Sequence, residues 1–294
     1  MGKGQFKTVA LLALLSGLLV VIGYALYGGT GAILGLVMAA VTNFGSWFYS
    51  DKIALSAYRA QPVTREQAPA IYTMVERLAE KAEIPMPGVY VVPGQAANAF
   101  ATGRDPEHAA VAVTEGIVKA LSEEELEGVL AHELTHIINR DTLTQAVAAT
   151  IGGAIAFLAQ MLQYSMFFGG SRNRDGGGAN PIALMATIFL APMAATVIQM
   201  GISRTREFAA DAGAAKLTGN PRALAQALQR LEASAQRLPI NANPAFSPLL
   251  IVNALPKQSF RSLFSTHPST EDRVAALLEI EQTLRTKRSI PSRA

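Results

Sequence analysis

Residues 8–27 carry no charged side chain, and about twenty apolar residues are what a helix needs to cross the hydrocarbon core of a bilayer. A second uncharged run, residues 31–49, begins after only Gly28-Gly29-Thr30, so the two read as a hairpin of membrane helices. Lys3 and Lys7 ahead of the first run also fit a signal peptide, but the run is too long for a signal sequence's apolar region of about 7–15 residues. Two further uncharged runs, residues 143–168 and 181–202, flank the polar segment 171–180, and each is long enough to span. Gln145, Gln160, Gln163 and Gln199 interrupt their apolar surface, and Gly152-Gly153 and Pro192 lower helix propensity. A buried helical hairpin within a soluble domain is the competing reading of this second pair.

Lysines and arginines near the ends of spans set their orientation. Lys3 and Lys7 precede the first run and Lys52, Arg59 and Arg65 follow the second, while the linker at Gly28 is uncharged, so both flanks favour the cytoplasm. Arg172 and Arg174 in the distal loop argue the other way, with Asp175 beside them. The net charge of +3 is small and the basic residues are scattered, which gives no electrostatic footprint for nucleic acid. The chain has no cysteine, which excludes disulfides and thiolate metal sites. Any metal must be held by histidines and carboxylates.

Between and after the apolar pairs the pattern is that of a folded domain. Ile71, Met74, Val75, Leu78 and Ala79 fall at helical spacing, and Pro85-Met86-Pro87-Gly88 then introduces the β-rich run Val89-Tyr90-Val91-Val92. Residues 97–101 and 109–114 read as short strands about a turn at 103–106, and residues 115–120 and 122–139 as helices. Ser122 with Glu125 three residues on forms a capping box that fixes the start of the second of these helices. Residues 204–217, 221–238 and 268–285 are also helical in pattern, with a loop between the last two. The expected fold is mainly α with a small β-sheet: an integral membrane protein whose two helical hairpins, residues 1–50 and 143–203, bracket a cytoplasmic domain split between residues 51–142 and 204–294.

The chemistry lies in His132-Glu133-Leu134-Thr135-His136. On a helix, residues four apart share a face, so both imidazoles aim at one point, and Glu133 is placed to act as general base on a water that the metal makes acidic. A catalytic zinc site takes three protein ligands and leaves a fourth position open. The apolar neighbours Val129, Leu130, Leu134, Ile137 and Ile138 argue against a solvated histidine face. Glu207 is the candidate third ligand, with Asp211 four residues later placed to accept the remaining ring N–H of a ligand histidine. On spacing alone, an ordinary acidic helix face competes with that reading. His108, beside Glu107 in a turn, reads as a solvated surface histidine.

Together these features resemble the HtpX membrane zinc proteases, bacterial relatives of the CAAX prenyl proteases. The likeness runs along nearly the whole chain: the N-terminal hairpin, Asn98-Ala99-Phe100-Ala101, the His-Glu-x-x-His helix with Asn139 and Asp141, the second hairpin, Glu207-Phe208-Ala209-Ala210-Asp211, and Ser265-Thr266-His267-Pro268. The resemblance implies a zincin-type catalytic domain, that of a zinc metalloendopeptidase with one zinc ion per subunit, His132, His136 and Glu207 as ligands, and a role in membrane-protein quality control and stress response at the bacterial inner membrane. It implies that His267 and Arg273 lie near the scissile carbonyl, where both would stabilise the developing oxyanion. The competing reading is that Pro268 starts a helix and Arg273 pairs on the surface. It also implies that Asn98, Ala99, Phe100 and Ala101 lie on an edge strand that binds extended peptide.

Leu143 follows His136 by seven residues and Glu207 follows Ile202 by five, so at about 1.5 Å per helical residue the metal lies within roughly 10 Å of the bilayer. The expected substrates are therefore cytoplasmic loops and tails of membrane proteins, or misfolded proteins, with the lipid bilayer as the other partner. A zinc-binding scaffold or chaperone-like subunit without proteolytic activity is the alternative. A transporter is disfavoured because none of the four runs contains an ionisable group.

Overall fold

The structure, a computed structural model, describes residues 3–152, 155, 204–238, 249–251 and 268–289. Most of the third apolar run, all of the fourth, the polar segment between them and His267 lie outside the described residues.

Helix α1 (Lys3–Phe48) folds back on itself. In a straight helix Leu12 and Asn43 would stand about 46 Å apart. Instead the Asn43 side-chain amide donates to Leu12 O at 3.2 Å and to Ser16 Oγ at 2.8 Å. The reversal passes through Gly28, whose φ of +60° only glycine adopts freely. Further along, a β-carbon on Gly35 would lie 2.4 Å from Leu19 O, so the arms meet closely because that side chain is missing. Of the two arms, Gly28–Phe48 is long and apolar enough to cross a membrane, and the first contains the apolar stretch Thr8–Val21. Ile33, Val37, Val41 and Phe44 are mostly exposed on the second arm, an apolar face of the kind that meets lipid or protein.

After α1 come α2 (Ser50–Ala57) and β1 (Gln61–Pro62), neither of which the hydropathy pattern announces. Helix α3 (Pro69–Lys81) buries the apolar stripe read from the sequence. Strands β2 (Gly88–Val92), β3 (Ala99–Gly103) and β4 (Ala109–Thr114) follow, and the sheet has the order β1-β2-β4-β3. Its central pair, β2 and β4, is parallel, while β1 and β3 join antiparallel. Strand β3 is therefore an edge. A short helix, α4 (Glu115–Ala120), leads into α5 (Glu123–Ile138), which opens with the capping box: Ser122 Oγ accepts the Glu125 amide, and the Glu125 carboxylate accepts the Ser122 amide.

Helix α5 is buried from Val129 to Ile137 and forms the axis of the domain. Its Val129, Leu130, Leu134 and Ile137 join Val75 and Leu78 of α3, Val111 and Val113 of β4, and Leu224, Leu228 and Leu231 in one core. The last three belong to α8 (Pro221–Arg237), which follows α7 (Arg204–Thr218) and precedes α9 (Thr270–Ser289). Two glycines set the spacing of these helices. A β-carbon on Gly128 would lie 3.1 Å from the Leu224 backbone, and one on Gly213 would lie 2.4 Å from Thr135 Cγ2. Past α5 the chain enters α6, residues 141–152, whose Val147, Ala148 and Ile151 pack with Leu11 and Leu15 of α1 while Thr144 bonds Thr8 at 3.0 Å. The third apolar run thus begins as a helix laid against the first.

Candidate metal centre

Helix α5 presents His132 and His136 side by side, ring centroids 4.8 Å apart and planes at 88°. From α7, Glu207 faces both: its Oε2 stands 3.7 Å from His132 Nε2 and its Oε1 3.7 Å from His136 Nε2. All three are buried, with their ligand atoms within 4.8 Å of one another. Donors about 2.0–2.2 Å from a tetrahedral zinc ion stand roughly 3.3 Å apart, so the two 3.7 Å edges to Glu207 are slightly longer than zinc requires.

The histidine tautomers are fixed from behind. His132 Nδ1 lies 2.9 Å from Asp211 Oδ1, and His136 Nδ1 lies 3.2 Å from Asp141 Oδ2. Each ring therefore donates Nδ1–H to a carboxylate and turns its Nε2 lone pair toward Glu207, the state a ligand needs. Charge balance agrees. Four buried carboxylates, Glu133, Asp141, Glu207 and Asp211, gather around two guanidiniums, those of Arg206 and Arg273. With neutral histidines the cluster keeps one negative charge when Glu133 is protonated and two when it is ionised, which a divalent cation offsets. Burial holds His132 neutral, its pKa below the ordinary value. At His136 burial pulls the same way, but the Asp141 hydrogen bond and the charges of Glu207 and Glu133 outweigh it, so the site favours positive charge. The donor set fits zinc.

Glu133 is buried beside the ligands. Burial pushes its carboxyl up to about 7, with the Glu207 charge adding and the Ala101 N–H, which bonds the carboxylate, opposing. Ala101 lies on β3, so the base touches the edge strand that the sequence reading assigned to substrate. The chain itself holds both ends of that edge. Ile251 N–H donates to Asn98 Oδ1 at 3.1 Å and reaches Ala99 O at 3.4 Å, while Thr142 Oγ1 donates to Gly103 O at 2.9 Å. Phe100 turns its ring away into a cluster with Tyr58.

Arg273 lies in the metal centre, its Nη2 3.3 and 3.4 Å from Nδ1 and Nε2 of His132 and its Nη1 3.8 Å from Glu207 Oε2. Its Nε and Nη2 grip Asp211 Oδ2 and Oδ1 at 2.8 and 2.7 Å, and its Nη1 donates to Ile251 O at 2.9 Å. It braces the carboxylate behind His132. The physical reason is that a guanidinium fork matches a carboxylate in two parallel bonds, and buried Asp211 has no other cation in contact among the described residues. The competing surface reading fails, since Arg273 is 2% exposed. It does sit in the first turn of α9, where Ser269 Oγ accepts the Asp272 amide. His267 lies outside the described residues.

Sequence reasoning gave no role to Asp141 or Arg206. A carboxylate five residues past the second histidine was the available signal, but it falls beyond the end of α5, where helical spacing no longer predicts direction.

Residues 65–281 match peptidase family M48. A protein of Trichormus variabilis named Protease HtpX homolog is 67% identical over 96% of this chain and 98% of its own. A Pyrococcus furiosus protein of the same name is 49% identical over 95% of this chain and 97% of its own. Among solved structures, Ste24p of S. mikatae shares the fold with a TM-score of 0.52 at 20% identity, over 93% of this chain and 64% of that one.

Proposed function

Because the chain belongs to peptidase family M48 and is a metalloprotease, we propose that it is a zinc endopeptidase that hydrolyses membrane or misfolded proteins at the cytoplasmic surface of the bacterial inner membrane. The observation that carries the reading is the buried triangle of His132, His136 and Glu207 with Glu133 beside it. The cluster has three members among the described residues, which suits an open catalytic site more than a structural site closed by four ligands. His132, His136 and Glu207 would hold the zinc, which when bound would supply Lewis-acid chemistry for the scissile carbonyl and lower the pKa of the attacking water.

Glu133 takes the proton of that water as its oxygen attacks the carbonyl carbon, and returns the proton to the leaving amine as the C–N bond breaks. The substrate runs extended along β3 between the tethers at Ala99 and Gly103, pairing at Ala101, whose amide also orients Glu133. The membrane assignment draws on the folded-back α1 with its exposed apolar face and on the aromatic residues at its end. Trp47 and Tyr49 are partly exposed there, Lys52 lies over the Tyr49 ring, and Arg104 from the β3–β4 turn lies over Phe48. Lysines and arginines at both flanks of the hairpin favour the cytoplasmic side.

The test is cleavage of a defined membrane protein by the detergent-purified chain, with metal removed by a chelator and then restored. Cleavage that disappears and returns with zinc, and that Glu133→Gln lacks, supports the reading. Cleavage untouched by metal removal, or at parental rate in Glu133→Gln, overturns it.

A further inference from the structure

Helix α5 ends at Asn139, and Arg140 then takes φ +57°, a left-handed conformation uncommon for any residue but glycine. That one residue turns the chain so that Asp141, at the start of α6, comes back against the helix it has just left. There its Oδ2 meets His136 Nδ1 at 3.2 Å, and its Oδ1 lies 3.5 Å from Nε of Arg206, the residue before Glu207. One carboxylate thus joins the two helices that carry the metal-site side chains. The next residue, Thr142, holds the C-terminal end of β3 through Gly103 O. The rest of α6 packs on Leu11 and Leu15 of the N-terminal hairpin. His132 is braced differently, through Asp211 and Arg273, both on helices of the soluble domain.

We propose that Asp141, braced by Arg206, is a positioning residue for His136, and that through it the orientation of this ring is keyed to the helix packed on the membrane hairpin. The proposal rests on the metal-centre reading above. Asp141 acts by accepting Nδ1–H, so that Nε2 keeps its lone pair and its aim toward Glu207. It touches neither substrate nor the reacting atoms.

The experiment uses the full chain in detergent. Zinc affinity is read by competition with a chromophoric chelator, and site geometry by the visible spectrum of the cobalt-substituted protein. Asp141→Asn keeps the size of the side chain and removes its charge. Its zinc affinity is expected to fall roughly 10–100-fold, with a changed cobalt spectrum. Affinity within about twofold of the parent together with an unchanged spectrum overturns the proposal. Should Asp141→Asn fail to fold, Arg206→Gln decides: weaker zinc binding by several-fold supports the brace, and unchanged binding overturns it. If the parent binds no zinc, or His136→Ala binds it as well as the parent, the metal-centre reading has failed and this inference falls with it. Normal parental binding with an indifferent Asp141 sinks this inference alone.

Discussion

Replacing Arg273 with methionine keeps an unbranched apolar stem in the cavity and removes the guanidinium. Asp211 is 1% exposed and would be left with the His132 N–H as its remaining partner of those that hold it. Removing one partner of a buried ion pair costs about 3–5 kcal/mol, because the surviving charge stays desolvated. For a domain of this size each kcal/mol moves the thermal midpoint by roughly 2–4 °C, so Arg273→Met should melt about 6–20 °C below the parent. The assay is thermal unfolding followed by circular dichroism in detergent, on metal-depleted protein so that zinc binding does not contribute. The double variant Asp211→Asn/Arg273→Met also removes the stranded charge and should recover a large part of the loss. Burial opposes ionisation of Asp211, but Arg273 holds its carboxyl below the ordinary range. That contribution is present at pH above the ordinary aspartate value of about 3.9 and is lost as pH falls through the lower folded-state value. Parent and variant should therefore converge in acid. A single variant melting within about 3 °C of the parent, or a double variant no more stable than the single, would refute the reasoning.

Three further outcomes follow from named contacts. Glu133→Gln should retain zinc, measured by metal analysis, while losing about 10²–10⁴-fold in turnover of a defined substrate. Ser122→Ala removes the acceptor of the Glu125 amide and should lower stability by about 1 kcal/mol in denaturant unfolding. Gly213→Ala drives a β-carbon into Thr135, whose hydroxyl is itself bonded to Ala131 O, and should destabilise by about 1–3 kcal/mol while weakening zinc binding, since it parts α7 from α5.

Local chemistry made much of this legible in the sequence. The capping box at Ser122 marked the start of α5, turn residues marked the edges of β2 and β4, and four-residue spacing put His132 with His136 and Glu207 with Asp211. The hairpin in α1 was readable because two apolar runs meet at a glycine pair. What escaped depends on tertiary placement. Strand β1 is two residues long, contains Pro62, and exists only because β2 offers it an edge. Asp141 lies past a helix end, and its direction is set by the single left-handed residue Arg140. Arg273 was read by analogy, and its actual partner, Asp211, lies 62 residues away on another helix. Spacing along one element carries no information about such a meeting.

The most direct measurement is X-ray absorption at the zinc edge of the detergent-purified full chain, combined with metal analysis. One zinc per chain, ligated by two imidazole nitrogens and otherwise by oxygen, and lost or strongly weakened in Glu207→Ala, is the expected result. Zinc retained at full occupancy when both His132 and His136 are replaced by alanine would contradict the account at its centre.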